Sequence, residues 1–396
     1  MTRAAFVVAG VRSPIGKAPK GSLRYVRPDD LLAHVIRSLL KQVPEVDLQL
    51  IDDVIIGCAT PEAEQGLNVA RIAALRAGLP ASVPAFTLNR FCASGLEAIA
   101  IGAQRIMLGV ANFVIAGGVE SMSRIPMGGW HPSPNPTLMK TYPDVYLSMG
   151  LTAENLAERY GISREEQDAF ALESHRKAVQ AIDAGRFREE VAPVPVQLVE
   201  VRDGRPQDRD FVLEVDEGPR RDTSMEALAK LPPVFKQNGT VTAGNSSQMS
   251  DGAAAVLLAS EPVIKQFRLN PWLRFIDYTY AGVAPELMGL GPVEALRRLV
   301  QWTGVALGMV DVVELNEAFA AQVLAVFREL PELDPGRVNP NGGAIALGHP
   351  LGCTGARQTV TLMHELRRRR GKYGIVTMCV GGGMGAAALF ENVAMG

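Results

Sequence analysis

The chain has 396 residues, more than one hydrophobic core usually organises, so two or three core-bearing units are expected. Its 47% hydrophobic and 21% charged residues are the balance of a folded globular enzyme and exclude a disordered or fibrous chain. A formal net charge of -2 supplies no whole-protein field to gather nucleic acid or an anionic membrane, so any anionic ligand needs a local basic patch.

At the N-terminus, Thr2 and Arg3 precede a short apolar run that Arg12 ends too early for a signal-peptide core. A buried first strand is expected at residues 5–9 instead, and the cytosol is the default compartment. Further strands are predicted at 53–57, 85–88, 113–117 and 254–259, with helical three- and four-residue spacing at 30–42, 68–77 and 94–108. The middle of the chain differs. It opens with a Pro/Gly/Trp-rich loop at 125–135 and holds helical patterns at 152–160 and 163–184. Ser163-Arg164-Glu165-Glu166 is a capping-box start for the second of these, and a charged stretch read as irregular follows at 199–221.

The C-terminal third returns to the first plan. Strands are expected at 274–280, 310–315, 374–379 and 386–390, and helices at 292–302, 317–329 and 355–370. Such alternation implies an α/β protein with covered sheets, and the shared plan implies a duplicated α/β unit in layers. Residues 1–120 with 242–270 are read as an N-terminal half, 121–241 as an inserted loop or lid domain, and 271–396 as a C-terminal half. The uncharged stretch from Tyr373 to Phe390 nearly reaches membrane-spanning length. Gly381, Gly382, Gly383 and Gly385 interrupt it, so two strands around a glycine loop are expected there.

Four cysteines, Cys58, Cys92, Cys353 and Cys379, are widely spaced without a Cys-x-x-Cys pair, so neither a zinc site nor a disulfide framework is indicated. Cys92 lies in Asn89-Arg90-Phe91-Cys92-Ala93-Ser94-Gly95-Leu96, between a predicted strand and a long apolar helix. A thiol at that helix start faces free backbone N–H groups and the positive dipole end, which favour thiolate, and the small residues Ala93 to Gly95 leave room for a substrate. His349 lies among glycines and before Pro350, in an open, extended loop suited to base chemistry; the other four histidines have no such setting. Cys379 precedes Gly381-Gly382-Gly383-Met384-Gly385-Ala386. A dinucleotide fingerprint there would need a further helix, strand and ribose-binding carboxylate before Gly396, so a glycine turn exposing a thiol and backbone donors is the better reading. Asn316, at a strand-to-helix junction, is either an N-cap or a polar group aimed into a pocket.

Each of these groups ends a strand, where the ligand crevice of an open α/β sheet forms. Asn-x-x-Cys-x-Ser-Gly, Asn-Glu-Ala-Phe, Gly-His-Pro-x-Gly and Cys-x-Gly-Gly-Gly, in this order, resemble thiolase, the family that makes and breaks carbon–carbon bonds between acyl-CoA thioesters. The resemblance runs from Arg12-Ser13-Pro14-Ile15-Gly16 to Gly385, and includes Gly117 to Ser123 and Thr242 to Ser247. It implies that Cys92 takes the acyl group, His349 activates it, and Cys379 exchanges a proton with acetyl-CoA or the CoA thiol. It further implies that Asn316 holds a water which, with His349, makes one oxyanion site, and that the N–H groups of Cys92 and Gly381 make the other. Arg220 matches a position near the CoA nucleotide and Ser247 one at the pantetheine; Phe319 and Met149 are assigned to the substrate pocket. No metal or redox cofactor is implied, because CoA is a substrate. The partners implied are acyl-CoA, CoA and further copies of the chain, as a homodimer or homotetramer, with no nucleic acid and no membrane span.

The expected activity is that of a 3-ketoacyl-CoA thiolase in fatty-acid β-oxidation, with a biosynthetic acetoacetyl-CoA thiolase as the nearest alternative. A carrier-protein ketosynthase is disfavoured by the second cysteine, and a non-catalytic acyl-CoA binder by the intact set of four polar groups. Biosynthetic relatives typically carry histidine where this chain has Ser148, so a roomier acyl end is expected here.

Overall fold

Apolar runs with no polar face form strands covered on both sides, and two of them, Phe113–Ser121 and Ser250–Ser260, are buried at every position. They lie at the middle of the N-terminal part of a ten-stranded sheet. The computed structural model describes residues 3–202 and 205–393; Thr2, Asp203, Gly204 and the stretch ending at Gly396, all used in reading the sequence, lie outside the described residues.

In chain order, the first part comprises β1 (Ala5–Arg12), β2 (Gly16–Lys17), α1 (Pro28–Leu40), β3 (Asp53–Gly57), α2 (Val69–Ala77), β4 (Ala85–Leu88), α3 (Ser94–Met107) and β5 (Phe113–Ser121). A long excursion then holds α4 (Pro136–Thr141), α5 (Met149–Tyr160), α6 (Arg164–Asp183), β6 (Val194–Arg202), β7 (Arg205–Leu213) and α7 (Met225–Ala229). The chain re-enters the sheet as β8 (Ser250–Ser260), followed by α8 (Glu261–Phe267). The last part comprises β9 (Leu273–Gly282), α9 (Gly291–Thr303), β10 (Val312–Leu315), α10 (Ala320–Glu329), α11 (Ala344–Leu347), α12 (Leu351–Arg369), β11 (Tyr373–Val380) and β12 (Met384–Asn392).

Strand order shows the duplication. In the first part β3 runs parallel to β4 and β5, β5 is antiparallel to β8, and β8 is antiparallel to β1. In the last part β10 runs parallel to β11, β11 is antiparallel to β12, and β12 is antiparallel to β9. Val338 makes a parallel bridge to Val313 of β10, where β4 would stand. Short pairing of β1 with β9 joins the two parts. Alternate residues of β8 face opposite ways. Ala253, Ala255 and Leu257 pack with α1 and α2, whereas Ala254, Val256 and Leu258 pack with α3 and α12. Val376, Met378 and Ala388 of the last part meet α3 and α12 from the other side, while Ile375, Ala387 and Leu389 pack with α9 and α10. The two central helices are thus sandwiched between the two halves of the sheet.

Those helices cross at their N-terminal turns. A β-carbon on Gly95 would meet the carbonyl of Gly352 at 2.7 Å, and one on Gly355 would meet the amide of Leu96 at 2.5 Å. Glycine there permits backbone-to-backbone contact, which draws the turn before α3 toward the turn before α12.

The charged stretch 199–221 is not wholly irregular, because β6 and β7 pair antiparallel as a separate two-stranded sheet. Buried Val194, Val196 and Leu198 alternate with outward residues, a period of two that the charged residues obscure. The α6 capping box is present, with Ser163 and Glu166 bonding reciprocally. Tyr373 to Phe390 is a strand, a glycine turn and a strand, and among the described residues no helix is long and apolar enough to cross a membrane.

Candidate active site

Cys92 sits in a short 3-10 turn between β4 and α3. The turn is braced by two side chains flanking it in sequence. Phe91 N–H donates to Asn89 Oδ1 at 2.7 Å, while Ser94 Oγ donates to Phe91 O at 2.7 Å and accepts from Arg90 N–H at 2.8 Å. This bracing holds Phe91 at φ 42°, a left-handed conformation costly for an aromatic residue. Ser94 is therefore a brace and Gly95 a helix-packing residue, rather than small groups that make room for substrate. The expected thiolate is also overturned. Burial pushes the Cys92 thiol up to about 11, outweighing the backbone N–H groups of Gly381 and Cys92 that pull it down. The helix start supplies donors, but desolvation wins.

His349 lies just before α12 at 5% exposure. Gly348 precedes it at φ 99°, and a β-carbon there would overlap Ser250 Oγ, so the approach of this loop to β8 requires glycine. The His349 N–H donates to Gln248 O at 3.0 Å, with Ser250 Oγ at 3.2 Å. On the ring, Nδ1 is 2.6 Å from Thr354 Oγ1, and Nε2 is 3.4 Å from Asn316 Nδ2. Burial first, then the positive charge of Arg357, lowers its pKa to about 3, so the imidazole is neutral. Asn316 is fully buried and is not an N-cap: α10 begins only at Ala320, leaving the Asn316 amide directed at the histidine.

Cys379 is the penultimate residue of β11, with no exposed surface. Burial raises its thiol pKa well above the usual range, and the proximity of Cys92 raises it further. Gly381, in the turn after β11, directs its N–H at the Cys92 sulfur. A β-carbon on Gly381 would touch Met149 Sδ at 3.6 Å and the Phe91 ring at 3.7 Å. Cys379 belongs to an apolar cluster with Ala153, Val241, Met288, Ala318 and Phe319, against which Met149 and Phe235 pack. Gly381 and Cys379 therefore meet Cys92, with Met149 and Phe319 packed beside Cys379, and Asn316, whose N–H donates to Thr377 O of β11, holds His349 at the neighbouring strand end.

Ser247 adjoins it through its N–H, which donates to Ala318 O at 2.9 Å. Arg220 stands farther out, exposed, with its N–H on His175 Nδ1 at 3.1 Å. Its loop is tied to the site where Gln248 Nε2 donates to Gly218 O at 3.0 Å. Arg221 is a surface partner of Asp183. Ser148 is exposed and accepts the Leu151 N–H as N-cap of α5, so its neighbour Met149, rather than Ser148, approaches Gly381. Sequence reasoning missed Thr354, Ser250, Phe235 and Met288. Only Thr354 carries a local signal, a hydroxyl in the first helical turn after a histidine.

Comparison with known proteins gives the following. The profile for "Thiolase, N-terminal domain" matches residues 5–262, and that for "Thiolase, C-terminal domain" matches residues 269–392. The chain is 52% identical over 388 residues to a 3-ketoacyl-CoA thiolase of Bacillus subtilis, covering 98% of this chain and 99% of that protein. It is 46% identical over 413 residues to a beta-ketoadipyl-CoA thiolase of Pseudomonas aeruginosa, covering 99% and 100% respectively. The crystal structure of the Bacillus anthracis acetyl-CoA acetyltransferase superposes with a TM-score of 0.88 at 42% identity, over 99% of both chains.

Proposed function

Because the chain belongs to the thiolase family and is an acyltransferase, we propose that it is a 3-ketoacyl-CoA thiolase working through an acyl group on Cys92. The observation that carries this reading is the convergence on one sulfur: the Gly381 N–H meets Cys92, and a second buried thiol, Cys379, lies close enough that a thiolate on one disfavours a thiolate on the other. A single nucleophile with one base would suffice for simple hydrolysis. A second acid/base beside it suits a reaction that must also protonate carbon.

The chemistry follows from these positions. At rest Cys92 is a thiol and His349 a neutral imidazole, because burial disfavours both charged forms. As the sulfur attacks the 3-carbonyl, its proton passes to His349. The tetrahedral intermediate then collapses with cleavage of the bond between C2 and C3, leaving a thioester on Cys92 and the enolate of acetyl-CoA. Cys379 gives its proton to C2 and releases acetyl-CoA. It regains a proton from the thiol of incoming CoA, whose sulfur attacks the Cys92 thioester. Collapse of that intermediate expels Cys92 sulfur, which recovers the proton held by His349, and a shortened acyl-CoA leaves. Backbone N–H groups of Cys92 and Gly381 on one side, and His349 with Asn316 on the other, stabilise the oxyanions. The reverse sequence is a Claisen condensation.

Substrate choice is read from the large apolar side chains that pack beside Cys379 (Val241, Met288, Phe319, Met149 and Phe235), with the Glu154 carboxylate next to them already bonded to the Val241 N–H. That lining favours a hydrocarbon acyl chain over one ending in a carboxylate, which would be costly to bury unpaired. The test is kcat/KM for thiolysis of acetoacetyl-CoA, longer linear 3-oxoacyl-CoAs and 3-oxoadipyl-CoA. One methylene in an apolar pocket is worth about 1–3 kcal/mol, so longer chains should be cleaved at least as efficiently as acetoacetyl-CoA. A steep fall beyond four carbons would establish the biosynthetic alternative, and a preference for 3-oxoadipyl-CoA would establish the dicarboxylate one.

A further inference from the structure

A histidine can accept a proton only at the nitrogen that lacks one, and which nitrogen that is depends on the partner of the other. Two contacts, from different elements, bear on this at His349. Thr354, in the first turn of α12, places Oγ1 2.6 Å from Nδ1 and 3.1 Å from Pro350 O. A hydroxyl carries one proton and a carbonyl only accepts, so with that proton on Pro350 O the oxygen faces Nδ1 with a lone pair. Nδ1 must then carry a hydrogen. On the far side of the ring, beyond the end of β10, Asn316 Nδ2 lies 3.4 Å from Nε2. With the amide nitrogen toward the ring, this contact fits a bare Nε2. Both contacts fit the same tautomer, with Nδ1 protonated and Nε2 bare.

We propose that Thr354 is a positioning residue that fixes His349 as the Nδ1–H tautomer, leaving at Nε2 a lone pair that is engaged by the long Asn316 contact and can take the proton of Cys92. Thr354 is fully buried, so water does not compete for its hydroxyl. The ring is held at its root as well, because the His349 N–H is bonded to Gln248 and close to Ser250. Rotation about the side chain would break contacts at both ends. The role assigned to the lone pair rests on the function proposed above, whereas the tautomer does not.

The test uses the whole enzyme with 15N-labelled histidine. There are five histidines, and His349→Asn identifies the signals of interest. The wild type should show His349 with a protonated Nδ1 and a pyridine-type Nε2. Thr354→Val keeps the shape and removes the hydroxyl. It should lose the single-tautomer signature and lower kcat for thiolysis roughly 10- to 100-fold, the effect of one lost buried hydrogen bond. KM for CoA should change less than about twofold, because no CoA contact is touched. Thr354→Ser, which restores the hydroxyl, should recover both the signature and kcat. A protonated Nε2 in the wild type would overturn the proposal, as would Thr354→Val with an unchanged spectrum and rate. If the valine variant fails to fold, the wild-type spectrum and the serine variant still decide. Absence of thiolysis in the wild type with every 3-oxoacyl-CoA would sink the proposed function and leave the tautomer to the spectrum alone.

Discussion

The two halves of the sheet repeat one topology and put it to different uses. After β3 the chain reaches Cys58, and after the equivalent β10 it reaches Asn316; β5 ends near Glu120 and β11 near Cys379; α3 is preceded by Cys92 and α12 by His349. In the first half, the strand-end groups are fully engaged. The Glu120 carboxylate accepts from the N–H groups of Ala59, Thr60 and Gly352 and from Gln65 Nε2. Through Gly352 it holds the first turn of α12, which belongs to the other half. In the last half, the Asn316 side chain meets His349 and leaves Oδ1 without a partner among the described residues, and Cys379 lies beside Cys92. Equivalent positions in a duplicated scaffold thus divide into clamp and chemistry. The division follows from how many hydrogen bonds each group has already made, since a fully bonded carboxylate has no lone pair left for a substrate.

The sharpest way to break this contrast is at the one reactive group that the first half supplies. Cys92→Ser should fold and lose thiolysis by roughly 10⁴-fold or more, since loss of a nucleophile removes the covalent route entirely. Incubation of the wild type with labelled acyl-CoA should place the label on Cys92; label on Cys58 or Cys379 would reverse the assignment. Next in size is Cys379→Ala. It should lower proton exchange at the α-carbon of acetyl-CoA by about 10²–10⁴-fold while Cys92 is still acylated. Undiminished deuterium exchange would remove Cys379 from the chemistry.

Glu120→Gln asks whether the equivalent strand end in the first half is only a clamp. An amide can accept on one side only, so at least one buried N–H loses its partner, at a cost of about 1–3 kcal/mol. The expected result is a lower urea midpoint, with deuterium exchange into acetyl-CoA retained. A variant of unchanged stability that had lost exchange would place Glu120 in the chemistry and end the contrast.

The sheet was largely legible in the sequence, because its strands are short apolar runs between turn residues. Residues 53–57 and 85–88 are strands at their expected bounds. The turns at Cys92, His349 and Asn316 and the glycine turn after Cys379 were legible too, because glycine, proline and paired polar residues mark turns locally. Cys379 itself, however, is a strand residue that the turn does not expose, and His349 is buried rather than open. Three things were not legible. The sulfur's protonation depends on burial by residues distant in sequence, so the helix start at Ser94 pointed the wrong way. The apolar cluster around Cys379 draws on Ala153, Val241, Met288 and Phe319, which share no local pattern. Gly95 and Gly355 have a shared reason only once the two helices cross.

The smallest expected effect concerns how the last half keeps its base uncharged. His349 is lowered to about 3 by burial and then by Arg357, against an ordinary value of 6.5. Between those values the unfolded chain binds a proton at this position and the folded chain does not, so stability rises with pH across the window. The contribution is fully present above 6.5 and is lost as pH falls toward 3. His349→Asn removes the titration and keeps a polar side chain. Stability of the variant minus that of the wild type should therefore become more positive as pH drops from 7 to 4. The slope should be on the order of 1 kcal/mol per pH unit at most, and should vanish above pH 7. Taking the difference cancels buried carboxylates such as Glu317, which titrate in both proteins. Urea midpoints at pH 7.5, 6 and 5 measure it. A flat difference would mean that the folded protein protonates His349 as readily as the unfolded chain does. The ring would then keep its ordinary pKa in the fold, still mostly neutral above pH 7, and burial would not be what keeps this base uncharged.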